Sequence, residues 1–184
     1  MKKSDIHDHP RTATLRITKL HFILVGIYVL QTVVYHASKL ITPEVLLWRW
    51  YAAAGLLAVS VLVWLYAKNW QHSASAYKWA IGVIIAADLA FAAFNVYIQR
   101  GYASKSVLLF LVPIIVSAAL MSRAALLTTA LLAAIIYSTV AVSYFVLNFN
   151  EGYMTELYGE IGFYSALFLL TAGLLWNTVH KHNQ

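Results

Sequence analysis

The chain has 184 residues, of which 61% are hydrophobic and 11% are charged, and its mean hydropathy is +0.71. A soluble domain carries about a quarter charged residues, so this composition predicts an integral membrane protein. The chain has no cysteine, which excludes disulfides, a thiolate nucleophile and Cys-ligated metal centres. The formal charge of +6 is interpreted as the cytoplasmic lysine and arginine excess of membrane proteins, so we expect no nucleic-acid partner.

Residues 1–19 are polar and basic, and they predict a cytoplasmic tail in which the first helix begins near Leu15. Six apolar runs follow, each near the length of about 20 residues that a membrane-spanning helix needs. We therefore predict an all-α, six-helix transmembrane bundle that ends in a short stub, residues 180–184. The predicted spans are 20–38, 45–67, 79–99, 106–121, 124–147 and 161–179.

Local signals mark several boundaries between these runs. Thr42-Pro43-Glu44 is a typical helix start, because proline is tolerated in the first turn. The fourth run is short and carries Pro113, and Ser122-Arg123 predicts a very tight reversal after it. An acidic connector at 148–160 precedes the sixth run. Its acids are spaced like a solvated face rather than like a metal site, and they are Glu151, Glu156 and Glu160.

Loop cations predict the orientation, because cytoplasmic loops carry the excess of lysine and arginine. The excess falls on one side if both termini are cytoplasmic, which indicates a multi-pass protein of the inner membrane with an N-in, C-in topology. The cytoplasmic set is Lys2, Lys3, Arg11, Arg16, Lys19, Lys68, Lys78, Arg123 and Lys181, and the opposite set is Lys39, Arg100 and Lys105.

The third run has two differently composed faces. Small residues recur on one side, a pattern that lets another helix backbone come close, and they are Gly82, Ala86, Ala90 and Ala93. The polar residues Asp88, Asn95 and Gln99 lie roughly opposite, and Ala92 is on the same side as they are. A carboxylate near mid-bilayer costs several kcal/mol unless it is protonated, paired or hydrated, so Asp88 is predicted to face the bundle interior.

Arg49, about one turn into the second run, is the strong cation within the predicted spans. Two interpretations of Asp88 stay open. It is a structural tie, hydrogen-bonded or paired with Arg49, or it lies in a ligand cavity or senses protons.

The first run also carries a polar stripe at helical spacing, which we expect to face away from lipid. Interhelical hydrogen bonds and a binding wall both explain such a stripe. Its members are Tyr28, Gln31, Tyr35 and Ser38.

Sequence signatures of catalysis are missing from the chain, including a Walker A loop, a dinucleotide-binding glycine motif, a zinc-protease helix and a nucleophile elbow. We therefore expect no catalytic residue, no metal site and no enzymatic activity.

The stretch from Ala87 to Leu126 resembles the six-helix membrane input region of bacterial sensor histidine kinases of the RegB and PilS type. The resemblance rests on an acid in the third span (Ala87-Asp88-Leu89) and on a glycine-containing turn, residues 100–104. It continues with an apolar stretch holding proline and small residues, residues 111–119, and with the basic reversal into an alanine-rich fifth span, residues 122–126.

RegB-type members carry Gly-Gly-x-x-Asn-Pro-Phe in this turn, which is associated with quinone sensing. In this chain Gly101 keeps the second glycine and Ser104 stands for the asparagine, while Arg100, Lys105 and Ser106 replace the other three residues. We expect no resident cofactor, and a quinone is the ligand class that the resemblance suggests.

Sensor kinases continue beyond the last span with a phosphoacceptor histidine and an ATP-binding domain, and these 184 residues contain neither. The resemblance implies a non-catalytic signal-input module, either free-standing or the membrane part of a longer kinase. It would sense a lipophilic ligand, a membrane condition or a partner, and pass a small helix shift to the cytoplasmic end of the sixth helix. We expect lipid around it, and a membrane or cytoplasmic protein partner or a second copy beside it. The predicted ligand-binding residues are Gln31, Tyr35, Arg49, Asp88, Asn95, Gln99, Gly101 and Ser104.

The alternative function is transport. Length and span count also suit the small substrate-binding subunits of energy-coupling-factor vitamin transporters, and the Gly82/Ala86/Ala90 face could meet a transport partner. A purely structural assembly subunit is the third interpretation.

Overall fold

The structure is a computed structural model that describes the backbone of residues 3–69, 73–99, 104–149 and 155–182, with side chains in most of these ranges. All regular structure in these ranges is helical, which confirms the predicted all-α class. The helices are α1 (Lys3–Ala37), α2 (Pro43–Asn69), α3 (Ala74–Ile98), α4 (Leu111–Ser117), α5 (Arg123–Phe149) and α6 (Thr155–His182). Two 3₁₀ segments, Lys105–Phe110 and Ala118–Leu120, flank α4.

Within the described residues, five helices are long and apolar enough to cross a membrane, the architecture of a multi-pass membrane protein. Their candidate spans are Pro10–Ala37, Pro43–Asn69, Ala74–Ile98, Arg123–Asn148 and Thr155–Asn177. The fourth predicted span, 106–121, corresponds to the shorter apolar segment Lys105–Leu120. In that segment the short α-helix α4 has a 3₁₀ segment on each side, and Pro113 lies near the start of α4.

The first helix begins earlier than its composition predicts. It starts at Lys3 rather than near Leu15, so the polar segment before the first apolar run is largely helical. Polarity by itself does not end a helix, and the threonine hydroxyls on this segment bond within it. Thr14 Oγ1 donates to the Pro10 carbonyl at 2.9 Å, and Thr18 Oγ1 donates to the Thr14 carbonyl at 2.8 Å.

Several helix ends follow the predicted local chemistry. Thr42 caps α2, because its Oγ1 accepts from the backbone N–H of Val45 at 3.4 Å. The predicted reversal before α5 is confirmed: Met121 adopts a left-handed conformation with φ 52°, and Ser122 Oγ accepts from the N–H of Ala125 at 3.3 Å. The acidic connector is shorter than predicted, since α6 already begins at Thr155.

The chain forms two compact units, residues 1–87 and 88–184, and the boundary lies within α3. In the first unit α1 and α2 are an antiparallel pair. Arg11 near the start of α1 donates to the carbonyls of Ala67 and Lys68 at the end of α2, both at 3.0 Å. These bonds satisfy carbonyl groups that a helix C-terminus leaves without an intrahelical partner.

The second unit has an aromatic core built from the 3₁₀ segment Lys105–Phe110 and from α5 and α6. Phe110, Tyr137 and Phe168 are all fully buried. Their ring centroids lie 5.7 to 6.1 Å apart. Such separations and tilts are favourable for aromatic pairs, so these rings hold the three elements together.

The two faces predicted for α3 differ in burial as well as composition. Asp88 is 2% exposed and Asn95 is fully buried, which confirms that this polar face points inward. Ala86 and Ala90 on the small-residue face are exposed.

Candidate functional site around Arg49

Arg49 is a completely buried arginine in the second turn of α2. Its Nε donates to Thr32 Oγ1 at 3.0 Å, and its Nη2 donates to Gln31 Oε1 at 2.9 Å. Both acceptors belong to α1, so the guanidinium joins the two helices at the end opposite to Arg11. This part of the polar stripe therefore forms interhelical hydrogen bonds, one of the two interpretations of the sequence.

Two tyrosine rings flank the guanidinium. The Cζ atom of Arg49 lies 4.6 Å from the ring centroid of Tyr28 and 5.3 Å from that of Tyr35. Both distances allow a cation–π attraction, which is strongest where the cation is removed from water. Because Tyr28, Thr32 and Tyr35 recur every three or four residues, one face of α1 presents both rings and the hydroxyl to α2.

Gln31 forms the outer edge of this cluster. Its side-chain nitrogen donates to the Tyr35 hydroxyl at 3.2 Å, while its Oε1 accepts from Arg49. Gln31 is exposed and Tyr35 is half-buried. The buried charge is therefore one side chain away from the surface of the helix pair.

The electrostatics of the cluster are unbalanced. Within the described residues of the first unit, the hydrogen-bond and ring partners of Arg49 are four neutral side chains, Tyr28, Gln31, Thr32 and Tyr35. Its Nη1 is buried and forms no hydrogen bond within the described part of the chain. Neutral dipoles and rings lower the cost of a buried cation without cancelling its charge. The arrangement can therefore accept a further oxygen, and an anionic one most favourably.

The predicted site residues of α3 lie in the second unit. Asp88 and Asn95 are buried, and Asn95 Nδ2 donates to the Phe91 carbonyl of its own helix at 2.8 Å. The pairing of Asp88 with Arg49 stays a prediction.

Side chains on either side of the turn after α3 form a cluster of hydrogen bonds. Gln99 Oε1 accepts from Ser106 Oγ at 2.8 Å and from Ser104 Oγ at 3.4 Å. Ser104 also caps the following 3₁₀ segment, since its Oγ accepts from the N–H of Ser106 at 3.0 Å. These contacts stabilise the connection between α3 and the 3₁₀ segment. Gly101, the other predicted residue of this turn, lies outside the described residues.

Sequence reasoning missed one residue of the Arg49 cluster and one residue of the aromatic core. Thr32 follows Tyr28 by one helical turn, so the spacing of the stripe could have identified it. Tyr137 gave no signal of its own, because one tyrosine in an alanine-rich apolar run predicts neither burial nor partners. In the structure its hydroxyl is buried and forms no hydrogen bond to any described residue. Its ring also contacts Tyr164, with centroids 5.8 Å apart.

Among the described residues, no group of three or more histidine, aspartate or glutamate side chains is placed to hold a metal ion. Comparison of the chain with protein-family models, with curated proteins and with solved structures found no match. Functional inference therefore depends on the site itself.

Proposed function

We propose that this protein is a membrane signal-input domain of the sensor histidine kinase type, non-catalytic, that senses a lipophilic ligand, a membrane condition or a partner protein. The observation that carries the proposal is Arg49, a buried cation with neutral partners and one unfilled donor group. An ionisable residue inside a membrane is costly, and it is usually retained for a function.

The proposed topology has six spans with both termini in the cytoplasm of a bacterial inner membrane. In this arrangement Lys105–Leu120 is the fourth of the six spans and the shortest of them. It lies beside α5 and α6 in the second unit. The loop cations support the orientation.

The proposed output is a small shift of α6. Occupation of the Arg49 cluster would change the packing of α1 against α2, and the change would reach the cytoplasmic end of α6. Shifts of one helix past another are an established switching mode in helical proteins. Asp88, Asn95, Gln99, Gly101 and Ser104 are proposed to take part in this response.

The absence of cysteine allows a direct test. A spin label on Asn177→Cys, an exposed position at the end of the last candidate span, reports on α6 in phosphatidylcholine nanodiscs. We expect its spectrum to change on addition of decylubiquinone or palmitate, and we expect Arg49→Gln to abolish that response. The matched control Lys39→Asn removes an exposed cation near the same end of the helix pair and should preserve the response.

Lys39 has φ 55°, a conformation that asparagine tolerates well, so this control does not strain the backbone. A spin-label spectrum that does not change with either probe would contradict the proposal. A response that persists unchanged in Arg49→Gln would contradict the assignment to Arg49.

A transport subunit is the second candidate, and the exposure of Ala86 and Ala90 favours it. A small-residue helix face in lipid allows a partner helix to approach closely. Copurification of a water-soluble vitamin with the protein would favour this function over signal input.

A further inference from the structure

The composition of the Arg49 cluster indicates which chemical class of ligand it takes. Arg49 is fully buried, and its hydrogen-bond and ring partners on α1, within the described residues, carry no charge. Its hydrogen bonds to neutral acceptors are already charge-assisted, and an ionised acceptor adds the Coulomb attraction between two opposite charges. An oxyanion therefore stabilises this guanidinium more than any neutral carbonyl does.

Gln31 occupies the place of one oxygen of such a ligand. Its Oε1 lies 2.9 Å from Arg49 Nη2, and the neighbouring donor Nη1 forms no hydrogen bond within the described residues. A carboxylate or phosphate has two oxygens at a spacing that matches the two donors of a guanidinium fork. Displacing the exposed Gln31 side chain would let one oxyanion meet both nitrogens.

The surface beside Gln31 suits an acyl chain. Ile27 lies one turn before Gln31 on the same side of α1 and is 61% exposed, and Leu20 continues the row at 64%. This row leads from the Arg49 end of α1 toward the rest of its candidate span. An amphiphile with its head group on Arg49 would lay its tail along these side chains.

We propose that the Arg49 cluster binds the oxyanionic head group of an acyl amphiphile, which displaces Gln31 and occupies Nη1 and Nη2. The proposal rests on the proposed sensing function and names its ligand class. The head group is the carboxylate of a fatty acid or the phosphate of an anionic phospholipid, since both present the same chemistry.

Native mass spectrometry of the full chain from a non-ionic detergent tests the inference with matched probes. Palmitate and hexadecanol share a tail and differ in the charge of the head, and dipalmitoyl phosphatidic acid and dipalmitoyl phosphatidylcholine test the phospholipid source. We expect palmitate or phosphatidic acid to bind about tenfold more tightly than its neutral or zwitterionic counterpart, the difference that one charged hydrogen bond makes.

Three variants and the control Lys39→Asn separate binding from folding. Arg49→Gln should remove the tenfold preference, and Arg49→Lys should keep part of it because the charge remains while the fork is lost. Gln31→Ala should tighten binding of the anion by about threefold to tenfold, because the competing internal acceptor is gone. Lys39→Asn should change nothing. A gain of affinity in Gln31→Ala cannot come from misfolding.

Equal binding of palmitate and hexadecanol, both dependent on Arg49, would overturn the oxyanion assignment and leave the sensing proposal standing. Anion binding that survives in Arg49→Gln would place the anion elsewhere and overturn the inference. Binding of none of the four probes would overturn it as well. The spin label on α6 reports on the sensing proposal separately, because decylubiquinone is a neutral probe.

Discussion

Arg49 and Tyr137 present the same feature in two different surroundings. Each has a buried donor that forms no hydrogen bond within the described residues, Nη1 in one case and the phenolic hydroxyl in the other. Arg49 is charged, is held by polar side chains, and lies behind the exposed Gln31. Tyr137 is packed against Phe110 and Phe168, both fully buried.

The difference shows that a buried donor without a hydrogen bond does not by itself indicate a ligand site. Around Arg49 the neighbours are hydrogen-bonding groups that a ligand can replace, and the guanidinium charge gives a ligand a strong reason to bind. Around Tyr137 the rings of Phe110, Tyr164 and Phe168 pack against its own ring, and these contacts would be lost if a ligand entered. The first arrangement supports the proposed binding site, and the second is that of a packing core.

The largest expected effect tests the packing core. Phe110→Ala should destabilise the protein by about 3–5 kcal/mol, because a buried aromatic ring is removed and a cavity remains. Unfolding in mixed micelles of dodecyl sulfate measures the change. Phe163→Ala is the matched control, since Phe163 is 64% exposed and faces outward from α6. Equal losses for the two variants would show that the aromatic cluster is not a core.

A smaller effect tests the Arg49 cluster as a hydrogen-bonded unit. Thr32→Val should cost about 2–3 kcal/mol, because it leaves the buried Nε of Arg49 without its acceptor. The control is Thr18→Val, since Thr18 is equally buried and its hydroxyl bonds the carbonyl of Thr14 in its own helix. That control should cost less than about 1 kcal/mol.

Adding Arg49→Leu to Thr32→Val should recover most of the loss, because the unsatisfied charge is then gone. The recovery is measured as the coupling energy of a double-mutant cycle. A coupling energy near zero would contradict the role of Thr32 as the acceptor of Arg49.

The smallest expected effect distinguishes the buried hydroxyl of Tyr137 from the buried Nη1 of Arg49. Tyr137→Phe should leave the unfolding free energy unchanged or raise it by up to about 1 kcal/mol, because a buried hydroxyl without a hydrogen bond in the described structure is removed while the ring contacts stay. The same unfolding assay measures it. A loss above about 1 kcal/mol would show that the hydroxyl is bonded in the native protein.

Parts of the site were predictable because residues that recur at the helical period lie on the same side of a helix. The stripe of Tyr28, Gln31 and Tyr35 marks one side of α1, and these three side chains surround Arg49 in the structure. The inward face of α3 was predictable for the same reason, since Asp88 and Asn95 are seven residues apart. Gln99 and Ser104 hydrogen-bond with Ser106 in the structure, and their part in ligand binding stays a prediction.

By itself, the sequence determined the helical class, the apolar runs and the residues that share a helix face, because composition and a period of 3.6 residues depend only on the local chain. Only the tertiary structure decided that Arg49 takes Thr32 and Gln31 as acceptors, that Gln31 forms the exposed edge, and that Tyr137 packs among Phe110 and Phe168. These contacts join residues of different helices. Which side chains meet there depends on how the helices pack, and local periodicity carries no information about that packing.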